Sequence, residues 1–530
     1  MGAQRTQTNQ STVLVTRRLI VIAAAVSLTA GLAAGAAGAA ITGANGSATA
    51  TNAAFATPGG QNGMGGANTM TYDYSGTYSG EISADGTSET SSDQTVTASG
   101  NDQNAALVTN GGTLTVTGAT LAKSGDASND DNANFYGTNS IALAVGEGST
   151  LVLDGTELTA SGSGSNAVFA TDSATALVRG VTIATEANNS RALDATYSGT
   201  ILAGEVTAST SGDHSATVAT DRGGGTVSIV DSELTTEGSG SPLLYSTGDV
   251  QAYGVTGTAS GSQIAGMEGY NTILIKDSTL TSTNTGRTGS DPIANGVIIY
   301  QSTSGDAESS TGEHATFQAV DSTLSSAIAS GSMFYFTNTT ADVVLSNVAL
   351  DFDSSKATLI NASGNDSNNW GSAGSNGATV TFTGRGQTLE GDVTADTISS
   401  VNLYLLEGSA WTGAASITDN AAASSGSGTL SDAPITVNVD GTSTWVVTGD
   451  TTVSALNVAS GGKVVDASGH TVTIVAGGET VVSGTSDVTV TVTGAYSTNV
   501  EAGDDTQLAT DTVDRSAYDD RFGTDTAWSL

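Results

Sequence analysis

Thr150-Leu151-Val152-Leu153, Ala176-Leu177-Val178, Thr200-Ile201-Leu202, Thr226-Val227-Ser228-Ile229, Val250-Gln251-Ala252 and Thr272-Ile273-Leu274-Ile275 are short β-prone runs separated by small-residue turns. Counted from Leu151, the steps to Leu177, Ile201, Val227, Gln251 and Ile273 are 26, 24, 26, 24 and 22 residues. A second column, Leu158, Ile183, Ala208 and Leu234, steps by 25, 25 and 26. A third, Thr171, Thr196, Thr220 and Thr247, steps by 25, 24 and 27. Three strands in each period of roughly 22–27 residues predict an all-β fold, the right-handed parallel β-helix. One coil cannot bury its inner face alone, so coils must stack. Val, Ile, Leu and Thr suit a half-buried pleated surface, and Gly, Asp, Asn and Ser supply the turns.

Two other folds are disfavoured. A β-sandwich would show hairpin turns and no three registered columns. A disordered Ser/Thr stalk would carry far more than the 4 prolines present. Insertions interrupt the period at Ser124–Asn139, Thr283–Asn295, Ser302–His314 and Gly364–Gly377. In a solenoid such insertions map to loops, often on a binding face. From about residue 378 the runs lengthen, as in Thr379-Val380-Thr381-Phe382, Val401-Asn402-Leu403-Tyr404-Leu405, Ile435-Thr436-Val437-Asn438-Val439 and Val488-Thr489-Val490-Thr491-Val492. Their alternation predicts strands with one buried face, so the solenoid is expected over 72–500.

The small-residue coils resemble right-handed parallel β-helix proteins of bacterial surfaces, the pectate-lyase-like adhesive type. Gly408-Ser409-Ala410-Trp411, Gly441-Thr442-Ser443-Thr444-Trp445 and Thr452-Val453-Ser454-Ala455-Leu456-Asn457-Val458 resemble the repeats of autotransporter passenger domains. The resemblance covers about residues 100–500 and implies architecture more than activity. No C-terminal membrane barrel follows, so it does not imply an autotransporter route.

The first 40 residues read as a secretion signal. Arg5, Arg17 and Arg18 precede the uncharged run Leu19–Leu32, and Ala37-Gly38-Ala39 offers a small-residue cleavage site. An uncleaved membrane anchor is the alternative. Thr16-Arg17-Arg18-Leu19 also resembles a twin-arginine signal. Residues 41–71 predict a flexible linker and 501–530 a C-terminal tail. No apolar tail or sortase motif is present, so export without covalent wall attachment is expected, giving a secreted or cell-surface location.

The 530 residues hold 14 Lys+Arg against 52 Asp+Glu, a net charge of −38. That excludes nucleic acid as a partner, because phosphate backbones need clustered cations. It equally disfavours anionic membranes. With no Cys, disulfides, thiolate metal sites and Cys nucleophiles are excluded.

Candidate sites lie on the outer surface. Arg191, Asp194, His214, Asp221 and Arg222 form the best local catalytic set, with Asp194 and Val218 placed at equivalent positions of adjacent coils. The arginine and histidine motifs of pectate lyases and polygalacturonases are absent, and Asp221-Arg222 before a Gly run reads more simply as a turn with an ion pair. Asp126, Asp130 and Asp131 form an oxygen-rich loop of the kind calcium takes, without EF-hand spacing. Otherwise no cofactor is expected. Phe169, Asp194, Val218 and Tyr245 form an alternating row, extended by Tyr300 and Tyr335, whose Asp argues that it faces outwards. Such aromatics suit a glycan or a surface protein. The expected function is therefore adhesion or glycan binding without catalysis. The alternatives are a polysaccharide-degrading lyase or glycoside hydrolase, and a structural spacer.

Overall fold

The computed structural model describes residues 70–303, 310–366, 370–510 and 512–530. The expected signal over 1–40 lies outside these residues, as does the expected linker except for 70–71. The described chain is a right-handed parallel β-helix. Successive strands feed three sheets in turn, so every third strand is a hydrogen-bonded neighbour. The sheets hold 13, 15 and 10 strands among the described residues, paired in parallel throughout.

Each sheet contributes an inward column to one continuous core. In the 13-stranded sheet, Ala142, Val168, Leu193, Val218, Leu244, Ala265, Val297 and Phe334 stand in register. In the 10-stranded sheet the column Leu158, Ile183, Ala208 and Leu234 stands as the sequence period predicts. In the 15-stranded sheet the column runs Leu151, Ala176, Ile201, Val227, Val250 and Ile273. Two expected members, Leu177 and Gln251, are corrected to their neighbours. A one-residue slip reverses the face of a strand, and both side chains point out of the coil. Leu177 packs in a separate cluster with Val152, Leu202 and Tyr518.

The corner that ends the strands of the 15-stranded sheet between residues 150 and 320 explains the choice of turn residues. It places one residue per coil in the left-handed region: Gly155 (φ 60), Gly180 (φ 61), Glu205 (φ 56), Asp231 (φ 46), Gly254 (φ 66), Asp277 (φ 47) and Asp321 (φ 50). Gly adopts this conformation freely, and Asp tolerates it better than most residues. A single left-handed residue bends the strand sharply into the next sheet.

Past residue 378 the 15-stranded sheet continues through Ala378–Arg385, Ser400–Leu406 and Ile435–Val439. A 4-stranded parallel sheet takes the third side there. In it Trp411 pairs with Trp445, their rings stacked 4.8 Å apart and fully buried. Each indole donates to a backbone carbonyl, Gly391 O and Gly413 O, at 2.9 Å. The repeated Gly-Ser/Thr-Trp elements are therefore core rungs.

The segment after residue 501 returns along the outer face of the 15-stranded sheet. Val513 N donates to Gln251 Oε1 and Ala509 N to Gln318 Oε1. Arg515 is 1% exposed and donates to Ser228 O, Ser228 Oγ and Ala203 O. Tyr518, in the helix Ser516–Phe522, covers Val152, Leu177 and Leu202. Trp528 stacks on Tyr253 at 5.6 Å. Among the described residues no helix is long and apolar enough to cross a membrane.

Candidate functional site

The outer face of the 13-stranded sheet carries the site. Its outward row is Phe169, Asp194, Ala219, Tyr245, Gly266, Ile298 and Tyr335. Asp194 pairs with Ala219, and Val218 belongs to the inward column, so the expected equivalence of Asp194 and Val218 is corrected. The cause is a local change in coil length. Thr171 and Thr196 are stacked and hydrogen-bonded at 2.8 Å, whereas Thr220 pairs with Ala195. Tyr300 stands on the same face one row further along, paired with Glu268.

Part of this row is covered. The first insertion folds into a helix, α1 (Asp130–Tyr136), capped by Asn129 Oδ1 accepting from Asn132 N. It ends at Gly137, whose φ of 70 and close approach to Phe169 admit no side chain: a Cβ there would lie 2.6 Å from the Phe169 ring. Asn166 Nδ2 donates to Ala133 O and Asn104 Nδ2 to Gly137 O, holding α1 on the sheet. Phe169 is consequently 0% exposed, packed with Leu107, Leu143, Val145, Tyr72 and Tyr78. It lies under this cover and offers no open face to a ligand. Asp130 and Asp131 are exposed in the first turn of α1, where their charge suits the helix N-terminus. Asp126 Oδ1 accepts from Ser163 N at 2.9 Å in the next coil. Among the described residues no group of three or more His, Asp or Glu is placed to hold a metal.

Beyond α1 the row opens into a cleft of about 500 Å3, within the range of small-ligand sites. All four insertions wall it: Asn134 and Phe135 from the first, Gly289, Ser290 and Asp291 from the second, Ser302 from the third and Trp370 from the fourth. The sheet and its turns supply Arg191, His214, Asp221, Tyr245, Gln263, Gly266, Glu268 and Tyr300. The small side of Gly266 between Tyr245 and Ile298 makes room in the row.

Arg191 organises one end. Its guanidinium donates to Asp221 Oδ2 at 3.1 Å and to Asn134 Oδ1 at 2.9 Å, with Asp194 Oδ2 at 3.6 Å. Asp194 is fully buried. Burial pushes its carboxyl above the usual carboxylate range, and Arg191 only partly offsets this. Asp194 therefore sits behind the cleft wall as a partner of Arg191. The Arg222 guanidinium lies 3.8 Å from the centroid of the Phe135 ring, and its backbone N donates to Asp221 Oδ1. His214 is exposed on the rim.

Glu268 organises the other end. It is 3% exposed and accepts from Tyr245 Oη at 2.9 Å, from Tyr300 Oη at 3.1 Å and from Ser302 Oγ. Trp370 stacks on Tyr300 with ring centroids 4.2 Å apart. Asp291 accepts from Asn295 Nδ2 at 2.8 Å. Burial pushes its carboxyl up to about 7, against the opposing effects of Asn295 and Arg287. Gln263 is 5% exposed; its Oε1 accepts from Ser262 Oγ, while its Nε2 has no hydrogen-bond partner among the described residues. That leaves an amide donor open to the cleft, which Gln263 lines.

The structure thus brings Arg191, His214, Asp221, Tyr245 and Tyr300 to one cleft, with Asp194 and Arg222 behind it. Phe169, Asp126, Asp130 and Asp131 are not among its lining residues. Glu268, Gln263, Asp291 and Trp370 were not selected from the sequence. Two of them, Asp291 and Trp370, fall inside insertions, which was the available signal. No family model matches this chain, and no curated protein or solved structure matches it.

Proposed function

We propose that this protein is an exported bacterial surface or extracellular β-helix protein that binds a glycan in the cleft between the four insertions, without catalysis. The observation that carries this reading is the pairing of ring faces with hydrogen-bonding groups in one concave site. Tyr245 and Tyr300, both half-buried in the cleft wall, provide apolar surface for a sugar ring, and Trp370 backs the Tyr300 ring. Glu268, Asp221 and Asp291 are acceptors for hydroxyls, and Gln263 Nε2 is a donor. The apparent leader over residues 1–40 supports export.

A glycan array probed with the purified chain tests the reading. Tyr245→Ala should weaken any glycan bound by about tenfold, since aromatic anchors dominate such contacts, while circular dichroism stays unchanged. Equal binding by Tyr245→Ala and the parent would remove the cleft from consideration.

A second reading, polysaccharide hydrolysis, is favoured by one observation. Asp291 has a raised carboxyl pKa, whereas Asp221 is paired with Arg191, and acid–base pairs are built from such contrasts. Release of reducing ends from a bound glycan, abolished by Asp291→Asn, would establish it in place of simple binding.

A further inference from the structure

We propose that the cleft selects sugars carrying an acetamido group, whose methyl seats in a socket above Gly266 while its carbonyl accepts from Gln263 Nε2. The inference rests on the saccharide reading above and adds the substituent that the site recognises.

A missing side chain defines the socket. Gly266 lines the cleft on the outward row, between Tyr245 and Ile298 of the neighbouring coils. A Cβ placed there would lie 3.4 Å from Gln263 Nε2, 3.5 Å from Tyr245 Cδ2 and 3.6 Å from Ile298 Cγ2. Those are ordinary contact distances for a carbon atom, so the hollow takes one methyl group and closes around it. The fold itself does not require glycine at this position. At Gly199 and Gly225 a Cβ would lie 2.1 and 2.2 Å from a backbone carbonyl oxygen, and no side chain fits. At Gly266 the nearest atoms all belong to side chains, and the residue is not among those with positive φ.

The walls of the socket match the parts of an acetamido group. Ile298 is fully buried and packs with Tyr335 and Trp370, so the floor is apolar and favours a methyl. On another side stands the buried Gln263, whose Oε1 is taken by Ser262 Oγ and whose Nε2 is open to the cleft. A buried donor left unpaired is costly, and a carbonyl oxygen satisfies it. The edge of the Tyr245 ring forms the third wall, so a sugar stacked on Tyr245 brings its substituent to the socket. A ring hydroxyl in the same place could accept from Nε2 but would leave the hollow unfilled. A protonated amine only donates, and would meet a donor.

Charge supplies no comparable handle. Asp221 is paired with Arg191, Glu268 accepts from three hydroxyls, and burial pushes the Asp291 carboxyl up to about 7. His214 lies on the rim, and Arg287 lies on an exposed loop outside the lining.

Titration calorimetry with the full purified chain near neutral pH tests the socket. The probes are matched tetrasaccharides of glucose, glucosamine and N-acetylglucosamine, and the same three forms of the galactose series. Within a series they differ only in the substituent on one carbon. In whichever series binds, the acetamido form should bind at least about tenfold more tightly than the hydroxyl and amine forms. Gly266→Ala fills the hollow with its own methyl and should narrow that preference to about twofold, with an unchanged circular dichroism spectrum. Gln263→Met keeps the length of the side chain, removes the donor and gives an independent measurement of the same narrowing. Equal binding of the three forms by the parent, or an undiminished preference in both variants, overturns the socket and leaves the saccharide reading standing. Absence of binding across both series overturns the acetamido inference, and silence of the whole glycan array overturns the saccharide reading with it.

Discussion

Arg191 reaches across the coil boundary to Asp221, its Nη2 donating to Oδ2 at 3.1 Å, with the Arg191 side chain only 10% exposed. The pair ties two successive coils to α1 through Asn134 and holds Asp194 as a second anion within 3.6 Å. Position in the stack creates this arrangement, since the two residues stand 30 apart in sequence.

Arg191→Met should therefore be costly. It keeps much of the apolar stem and removes the cation, stranding Asp194 and Asp221 in a buried site. Breaking such a pair typically costs about 3–5 kcal/mol. Chemical denaturation should show the loss. A change within about 0.5 kcal/mol, the range of ordinary surface substitutions, would mean that the pair is solvated.

Stability should fall as pH rises from about 4 towards 7. Burial raises Asp249 to about 6 and Asp291 to about 7 from an ordinary value of 3.8. A raised acid binds its proton more tightly in the folded chain than in the unfolded chain. Its contribution is complete below the unfolded pKa and is lost as pH climbs through the folded one. For Asp249 the difference across that window is about 3 kcal/mol. Thermal midpoints measured across the range should decline, and Asp249→Asn should flatten its share of the slope. A midpoint that rises over this interval would contradict the burial of both groups.

The inward column of the 10-stranded sheet offers a direct check of register. Ile183 is 1% exposed between Leu158 and Ala208. Ile183→Asp would bury an unpaired carboxylate and should cost several kcal/mol, about 3 or more. An unchanged thermal midpoint would place the side chain outside the coil.

The returning C-terminal segment should behave as a clamp that can open on its own. Arg515 makes its backbone contacts at Ser228 and Ala203 only when the segment is docked. Arg515→Ala should remove hydrogen-exchange protection from residues 512–530 while the inner columns stay protected. Uniform loss of protection along the chain would instead make the segment part of one cooperative unit.

Much of the coil was legible from spacing alone. Leu158, Ile183, Ala208 and Leu234 are separated by 25, 25 and 26 residues and do stack, because a solenoid turns sequence period into spatial register. At Leu177 and Gln251 the spacing points one residue past the inward position. The inward residues there are Ala176 and Val250, and alternation alone does not say which residue faces in when the outer face is also covered. That cover is the C-terminal segment, whose Tyr518 buries Leu177 and whose Val513 N donates to Gln251. A segment 262 residues away leaves no local mark on the strand it will cover.

The same division holds at the cleft. By itself the sequence determined the class of fold and the four insertions, because periodicity and its interruptions are local properties. Only the tertiary structure decided that the insertions converge on one cleft, that α1 buries Phe169, and that Glu268, Asp291 and Trp370 meet Tyr245 and Tyr300 there. Strand pairing carries each residue to neighbours one coil away, and loops of unequal length fold over several coils at once. Which loop meets which strand is settled by that packing, not by any run of adjacent residues.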